Sequence, residues 1–171
     1  MRDLQKYAAE CMAALDRLGI RYSRNVRFTV NTRAISRLGL CRKKGDRYEI
    51  EISHLLLDER TPAESLRNTL FHELLHTCYG CMRHTGRWKT YADRVNAVCG
   101  CNIKRAAAIE DREIPDELLP KANYLIRCES CGAESRYIRR GRAVELMLRG
   151  RGRSLRCRSC GGSRFTLLVR A

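Results

Sequence analysis

The sequence predicts an α+β fold in two parts: a small antiparallel sheet packed on a deeply apolar helix, followed by a small β-rich module closed by four cysteines. Three observations lead to this expectation. Strand-like alternation of apolar and polar residues is confined to residues 26–52. Helical spacing of apolar residues governs three stretches, near residues 3–18, 61–79 and 87–98. Two Cys-x-x-Cys-Gly turns lie in a basic carboxyl-terminal segment, after a charged stretch that carries Pro115 and Pro120.

Each element follows in order. Leu4, Tyr7, Ala8, Cys11, Met12, Leu15 and Leu18 recur at three- and four-residue spacing, so a packing helix is expected from Asp3 to Leu18, ended by Gly19. Val26 to Val30 and Arg47 to Ile52 alternate as half-buried strands do. A third strand fits Arg37 to Arg42, with Lys43-Lys44-Gly45-Asp46 as its turn. Thr61-Pro62-Ala63-Glu64 has the pattern of a helix start, with Thr61 as N-cap and Glu64 reaching back in a capping box. That helix carries Leu66, Leu70 and Leu74 on one stripe and is broken by Gly80. Trp88, Tyr91, Ala92 and Val95 mark a further helix from Arg87 to Val98. A first domain over residues 1–120 is expected, with a linker at about 109–123 and a basic module over 124–171.

The chain of 171 residues is long enough for a real core, and no apolar run approaches the ~18 residues of a membrane span. No membrane association is expected. Met1-Arg2-Asp3-Leu4-Gln5-Lys6 lacks the pattern of a secretory signal, which makes the cytoplasm the expected compartment and metal ligation the expected use of paired cysteines. The net charge is +15, and from Lys121 onward 13 Lys and Arg stand against three Asp and Glu. An excess of that kind over one segment points to a polyanionic partner such as nucleic acid.

His72-Glu73-Leu74-Leu75-His76 places two imidazoles four residues apart on one helix face, with a carboxylate beside them. This is the arrangement of a zinc hydrolase of the zincin type, in which the ion acidifies a water and Glu73 takes its proton as it attacks a carbonyl. Such a zinc keeps three protein ligands and one open position, so another donor is required. His84, eight residues after His76 and beyond Gly80, can be folded back by a short loop. His54 stands alone at the end of a strand and is expected to be structural. Tyr79, Arg83 and Tyr91 are near enough in sequence to stabilise a developing oxyanion.

Together with Gly86-Arg87-Trp88-Lys89, these residues resemble the SprT-like zinc metallopeptidases, whose relatives include Spartan. The resemblance implies His72, His76 and His84 as zinc ligands and Glu73 as catalytic acid/base. It also implies protein substrates and, for Spartan-like relatives, the degradation of DNA–protein crosslinks.

Cys128-Glu129-Ser130-Cys131-Gly132 and Cys157-Arg158-Ser159-Cys160-Gly161 form two matched knuckles. Four thiolates leave no open coordination site, so a structural zinc is expected at Cys128, Cys131, Cys157 and Cys160, giving two zinc ions per chain, one catalytic and one structural. A strand through Ser135 to Arg139 and a helix or loop near Ala143 to Leu148 fill the interval. Several SprT-like proteins are similar in carrying a zinc ribbon at this end. Arg136, Arg139, Arg140, Arg142, Arg151, Arg153, Arg156 and Arg158, with Tyr137 and Phe165 for stacking, suit a surface for DNA, with single strands or junctions preferred. The expected function is a zinc-dependent endopeptidase acting on proteins bound or crosslinked to DNA. The alternative is a non-catalytic zinc-stabilised nucleic-acid-binding adaptor, against which Glu73 argues, because an adaptor has no chemical need for that carboxylate.

Overall fold

The computed structural model describes residues 1–33, 37–105, 113–119 and 121–170. The chain divides into two compact units, Met1–Leu119 and Pro120–Ala171. Part of the expected linker at 109–123 lies outside the described residues.

The first unit is built around one buried helix. Helix α1 (Leu4–Arg17) begins where the Asp3 carboxylate accepts hydrogen bonds from the backbone N–H groups of Gln5 and Lys6, and it buries Leu4, Ala8, Cys11, Ala14 and Leu15. Strands β1 (Val26–Asn31), β2 (Gly39–Lys44) and β3 (Arg47–Ser53) form a three-stranded sheet in the order β1-β3-β2. Strand β3 takes the centre because its alternation is the cleanest: Tyr48, Ile50 and Ile52 are buried, while Glu49 and Glu51 on the other face meet Lys44 and Arg37 at 2.6 and 2.9 Å.

The sheet is mixed rather than antiparallel. Strand β2 pairs antiparallel with β3, but β1 pairs parallel with it, in the register Val26↔Tyr48 to Asn31↔Ser53. The expectation of an all-antiparallel sheet assumed that strands adjacent in sequence are adjacent in space. Here β2 takes the far edge, and the tight β2–β3 turn returns β3 between the other two. Directions still alternate along the chain, so the first and third strands run the same way.

Helix α2 (Ala63–Leu75) packs against the sheet, α1 and helix α3 (Arg87–Cys99). Leu66, Leu70, Leu74 and Leu75 are wholly buried, each contributing about 1.5–3 kcal/mol of apolar burial. The start of α2 differs from the expected capping box. Pro62 occupies the cap position without a side-chain hydrogen bond, and the buried Thr61 hydroxyl instead donates to the Leu55 carbonyl at 2.7 Å. Thr61 thereby ties the 3-10 turn His54–Leu56 to the mouth of α2. The helix ends at Leu75, ahead of Gly80, with His76 at its C-cap.

The second unit is a three-stranded antiparallel sheet in the order β5-β4-β6, formed by β4 (Tyr124–Cys128), β5 (Glu134–Tyr137) and β6 (Phe165–Val169). A short helix α4 (Arg142–Leu148) lies between β5 and β6. Among the described residues of this unit the buried apolar ones are Ile126, Cys128 and Val144, far too few to hold some fifty residues by packing alone. Among the described residues no helix is long and apolar enough to cross a membrane.

Candidate metal centres

The helical periodicity of α2 carries His72 and Glu73 on its last turn and His76 on its cap, so both imidazoles leave the helix toward one side. The chain then turns through residues 77–86. Gly86 has φ +46°, a conformation that side-chain-bearing residues rarely adopt, and it redirects the backbone into α3. Arg87 fixes this loop by donating to the Tyr79 carbonyl at 3.0 Å. His84 is thereby brought back over α2, and the ligand atoms of His72, His76 and His84 all lie within 4.8 Å of one another.

The ring nitrogens are sorted by their partners. His72 Nδ1 lies 3.0 Å from the Lys104 carbonyl and His76 Nδ1 2.8 Å from the Cys81 carbonyl. A carbonyl only accepts, so both Nδ1 atoms carry the proton and both Nε2 atoms present lone pairs to the common centre. His72 Nε2 and His84 Nε2 are 2.8 Å apart. Two ligands on a tetrahedral zinc with bonds of about 2.0–2.1 Å stand about 3.3 Å apart, so a spreading of a few tenths of an ångström admits the ion. The donor set and its outer hydrogen bonds fit zinc. Burial lowers the pKa of His76, though its bond to Cys81 opposes this. Burial also lowers that of His84, together with the charges of His76 and Arg105. Neutral imidazole is the form that binds metal.

The wall behind the ligands is Trp88, 2% exposed, whose ring lies 4.9, 5.8 and 4.6 Å from the rings of His72, His76 and His84. In front is a cleft of about 250 Å3 lined by Gly39, Leu40, Cys41, His72, Glu73, His76, Met82 and His84. Glu73, 6% exposed, reaches this cleft beside strand β2. Gly39 makes that possible: a Cβ there would lie 2.5 Å from Glu73 Oε1 and 2.7 Å from Thr69 Cγ2. Neither Gly39, which falls inside the strand expected from Arg37 to Arg42 and opens the observed one, nor the Lys104 and Cys81 carbonyls carried a signal of this role in the sequence.

Other candidates fall elsewhere. Tyr79, Arg83 and Tyr91 do not line the cleft, and Tyr79 is 88% exposed. Cys78 and Cys81 are buried, and burial raises the Cys78 thiol to about 12, so the part this turn plays at the site is the Cys81 carbonyl. His54 Nδ1 lies 3.3 Å from the Asn31 carbonyl and belongs to the sheet edge.

In the second unit, the two knuckles bring Cys128, Cys131, Cys157 and Cys160 together with all four sulfurs within 4.8 Å. Cys128 Sγ is 3.7 Å from Cys160 Sγ, and Cys131 Sγ is 3.6 Å from Cys157 Sγ. Four sulfurs around zinc at about 2.3 Å stand about 3.8 Å apart, so the set fits the ion. Backbone N–H groups of Cys160 and Ser159 draw the Cys157 thiol down to about 6, toward the thiolate that binds metal. Arg136, Arg139, Arg140, Arg142, Arg151, Arg153, Arg156 and Arg158 are all exposed on this unit. Arg140 donates to the Tyr124 hydroxyl at 3.1 Å and Arg156 to the Arg153 carbonyl at 2.8 Å.

Comparison with curated proteins finds no match. The sequence profile of the SprT-like family matches residues 8–107, a span that holds His72, Glu73, His76 and His84 and ends before the four cysteines. That span is more than half of the residues, and the chain belongs to the SprT-like family.

Proposed function

We propose that this chain is a zinc-dependent endopeptidase that acts on proteins bound or crosslinked to DNA, with His72, His76 and His84 holding the catalytic ion and Glu73 as acid/base. The observation that supports it most is the convergence of the three imidazoles in the cleft that also receives the Glu73 carboxylate. A zinc ion bound there would supply a Lewis acid that polarises a peptide carbonyl and acidifies a water. Glu73 accepts that water's proton and returns it to the departing amine. Its near burial keeps bulk water from competing for the carboxylate. The Lys104 and Cys81 carbonyls hold His72 and His76 in the tautomer that binds metal, and Trp88 prevents the rings from turning away.

The coupling to DNA rests on the charge of the second unit and its exposed arginines. Four cysteines leave no open coordination position, so a zinc ion held at this unit would be structural. The test offers the zinc-loaded chain two substrates, casein and a protein crosslinked to a DNA single strand. Cleavage of both is expected, with faster loss of the crosslinked protein and loss of that advantage on deleting residues 124–171. Failure to cleave either substrate overturns the proposal. Equal rates on both substrates overturn the DNA part.

A further inference from the structure

Strand β2 is an edge of its sheet, pairing with β3 and, among the described residues, with no other strand. Its residues Gly39, Leu40 and Cys41 line the cleft that holds the three imidazoles and Glu73. The ladder fixes which of its backbone groups are free. The Ser53 N–H donates to the Leu38 carbonyl at 2.8 Å, which makes Leu38 and Ser53 a hydrogen-bonded pair. Such pairs alternate with non-bonded ones along an antiparallel ladder. Leu40 and Arg42 therefore turn their N–H and C=O groups toward β3, while Gly39, Cys41 and Lys43 turn theirs outward. An outward row of donors and acceptors matches the backbone of an extended peptide. Three successive cations, Arg42, Lys43 and Lys44, oppose pairing with the same edge of a second copy.

The same three residues share a face. A Cβ on Gly39 would point at Glu73 Oε1, 2.5 Å away, so the side chains of Cys41 and Lys43, two and four residues on, also leave toward α2. The Lys43 ammonium lies 5.7 Å from the centre of the Tyr48 ring, its cross-strand partner on that face. Charge pairing distinguishes the two faces. On the far one, Arg42 lies 3.8 Å from Glu51 and Lys44 2.6 Å from Glu49. Lys43 is exposed and has no carboxylate in ion-pair range among the described residues. A peptide residue paired with Lys43 would stand about 5.5 Å from it between Cα atoms, with its side chain on the Lys43 face. A carboxylate there supplies the missing partner. Antiparallel pairing is slightly the more stable, so the peptide runs opposite to β2 and reaches Lys43 before it reaches the cleft.

We propose that Lys43 is a specificity-determining residue: it selects an acidic side chain on the amino side of the bond cut, in a substrate segment held as an added strand on the β2 edge. The acidic residue lies about two residues before the one opposite Cys41 and about four before the one opposite Gly39. The inference rests on the peptidase reading above and gives that site a charge preference that the metal centre alone lacks.

The test offers the full zinc-loaded chain a set of quenched peptides in which one glutamate is moved residue by residue along the amino side of the cut bond. Against the all-glutamine peptide, kcat/KM is expected to peak about fivefold at one position and to fall back at both neighbours, whose side chains lie on the other face. High salt should flatten the peak. Lys43→Gln should abolish it, and Lys43→Glu should reverse it, so that lysine at the peak position is cut faster than glutamate. Zinc content and a thermal melt of each variant separate a lost contact from a lost fold. Methylating the peptide nitrogen of the peak residue removes its hydrogen bond to the Lys43 carbonyl. It should slow cleavage more than the same methyl group one residue on, where the nitrogen faces away. Cleavage without a charge preference, a preference unchanged in Lys43→Glu, or a peak on the carboxyl side overturns the inference and leaves the peptidase reading intact. No cleavage of any peptide by the zinc-loaded chain overturns both.

Discussion

Replacing Gly39 by alanine perturbs the proposed acid/base without touching a metal ligand. Gly39 does not have a positive φ, so alanine fits the backbone and the effect comes from the added methyl group alone. That carbon would lie 2.5 Å from Glu73 Oε1, 2.7 Å from Thr69 Cγ2 and 2.9 Å from Glu73 Cγ, where ordinary contact begins at 3.4 Å. Thr69 is buried and tied to the Ser65 carbonyl at 2.9 Å, so Glu73 gives way, by about 0.9 Å at its oxygen. A misplacement of about 1 Å in a catalytic group can cost about 100-fold, and overpacking costs about 1–3 kcal/mol in stability. Gly39→Ala is therefore expected to lower kcat between about 10- and 100-fold, with zinc content unchanged and a small fall in Tm. Steady-state cleavage of a quenched peptide, beside metal analysis and a thermal melt, reads all three. Full activity in a folded, zinc-loaded Gly39→Ala protein would refute the reasoning about how Glu73 is placed.

Trp88→Ala removes the wall behind all three imidazoles. It should cost about 3–5 kcal/mol and weaken zinc at the histidine site, read by a melt and by competition with a chromogenic chelator. Cys157→Ser should release one zinc equivalent and unfold residues 124–170, because structural zinc contributes about 10–16 kcal/mol that three apolar residues cannot replace. Hydrogen exchange should show lost protection there and retained protection in α2. In the metal-free protein, His76 and His84 have folded pKa values below their ordinary 6.5. The unfolded chain therefore takes up protons first, and the contribution to stability is complete above pH 6.5 and lost as pH falls through the folded values. Denaturation of the apo protein at pH 5 and 7.5 should show the lower midpoint at pH 5, and saturating zinc should widen the gap.

How far the sequence reveals the molecule depends on whether a feature is local. The His72–His76 spacing is legible because a helix converts four residues into one face, and His84 is legible because Gly80 and Gly86 mark a turning loop. The Cys-x-x-Cys turns are legible for the same reason. The parallel pairing of β1 with β3 was not, since alternation states that a residue pair is half-buried and not which strand lies beside it. Thr61 and Glu64 match a capping box, yet the Thr61 hydroxyl is spent on the Leu55 carbonyl, a partner set by tertiary packing. The Lys104 and Cys81 carbonyls that orient His72 and His76 are backbone atoms, which no side-chain pattern announces. The role of Gly39 is equally hidden, because it depends on which strand passes Glu73.

The central claim is that Glu73 performs proton transfer at a three-histidine zinc site. The most direct measurement compares peptide cleavage by wild type and Glu73→Gln with zinc counted in the same samples. The account predicts two zinc ions per chain in both proteins and cleavage by the wild type alone. Cleavage by Glu73→Gln at the wild-type rate, with both ions retained, would contradict it.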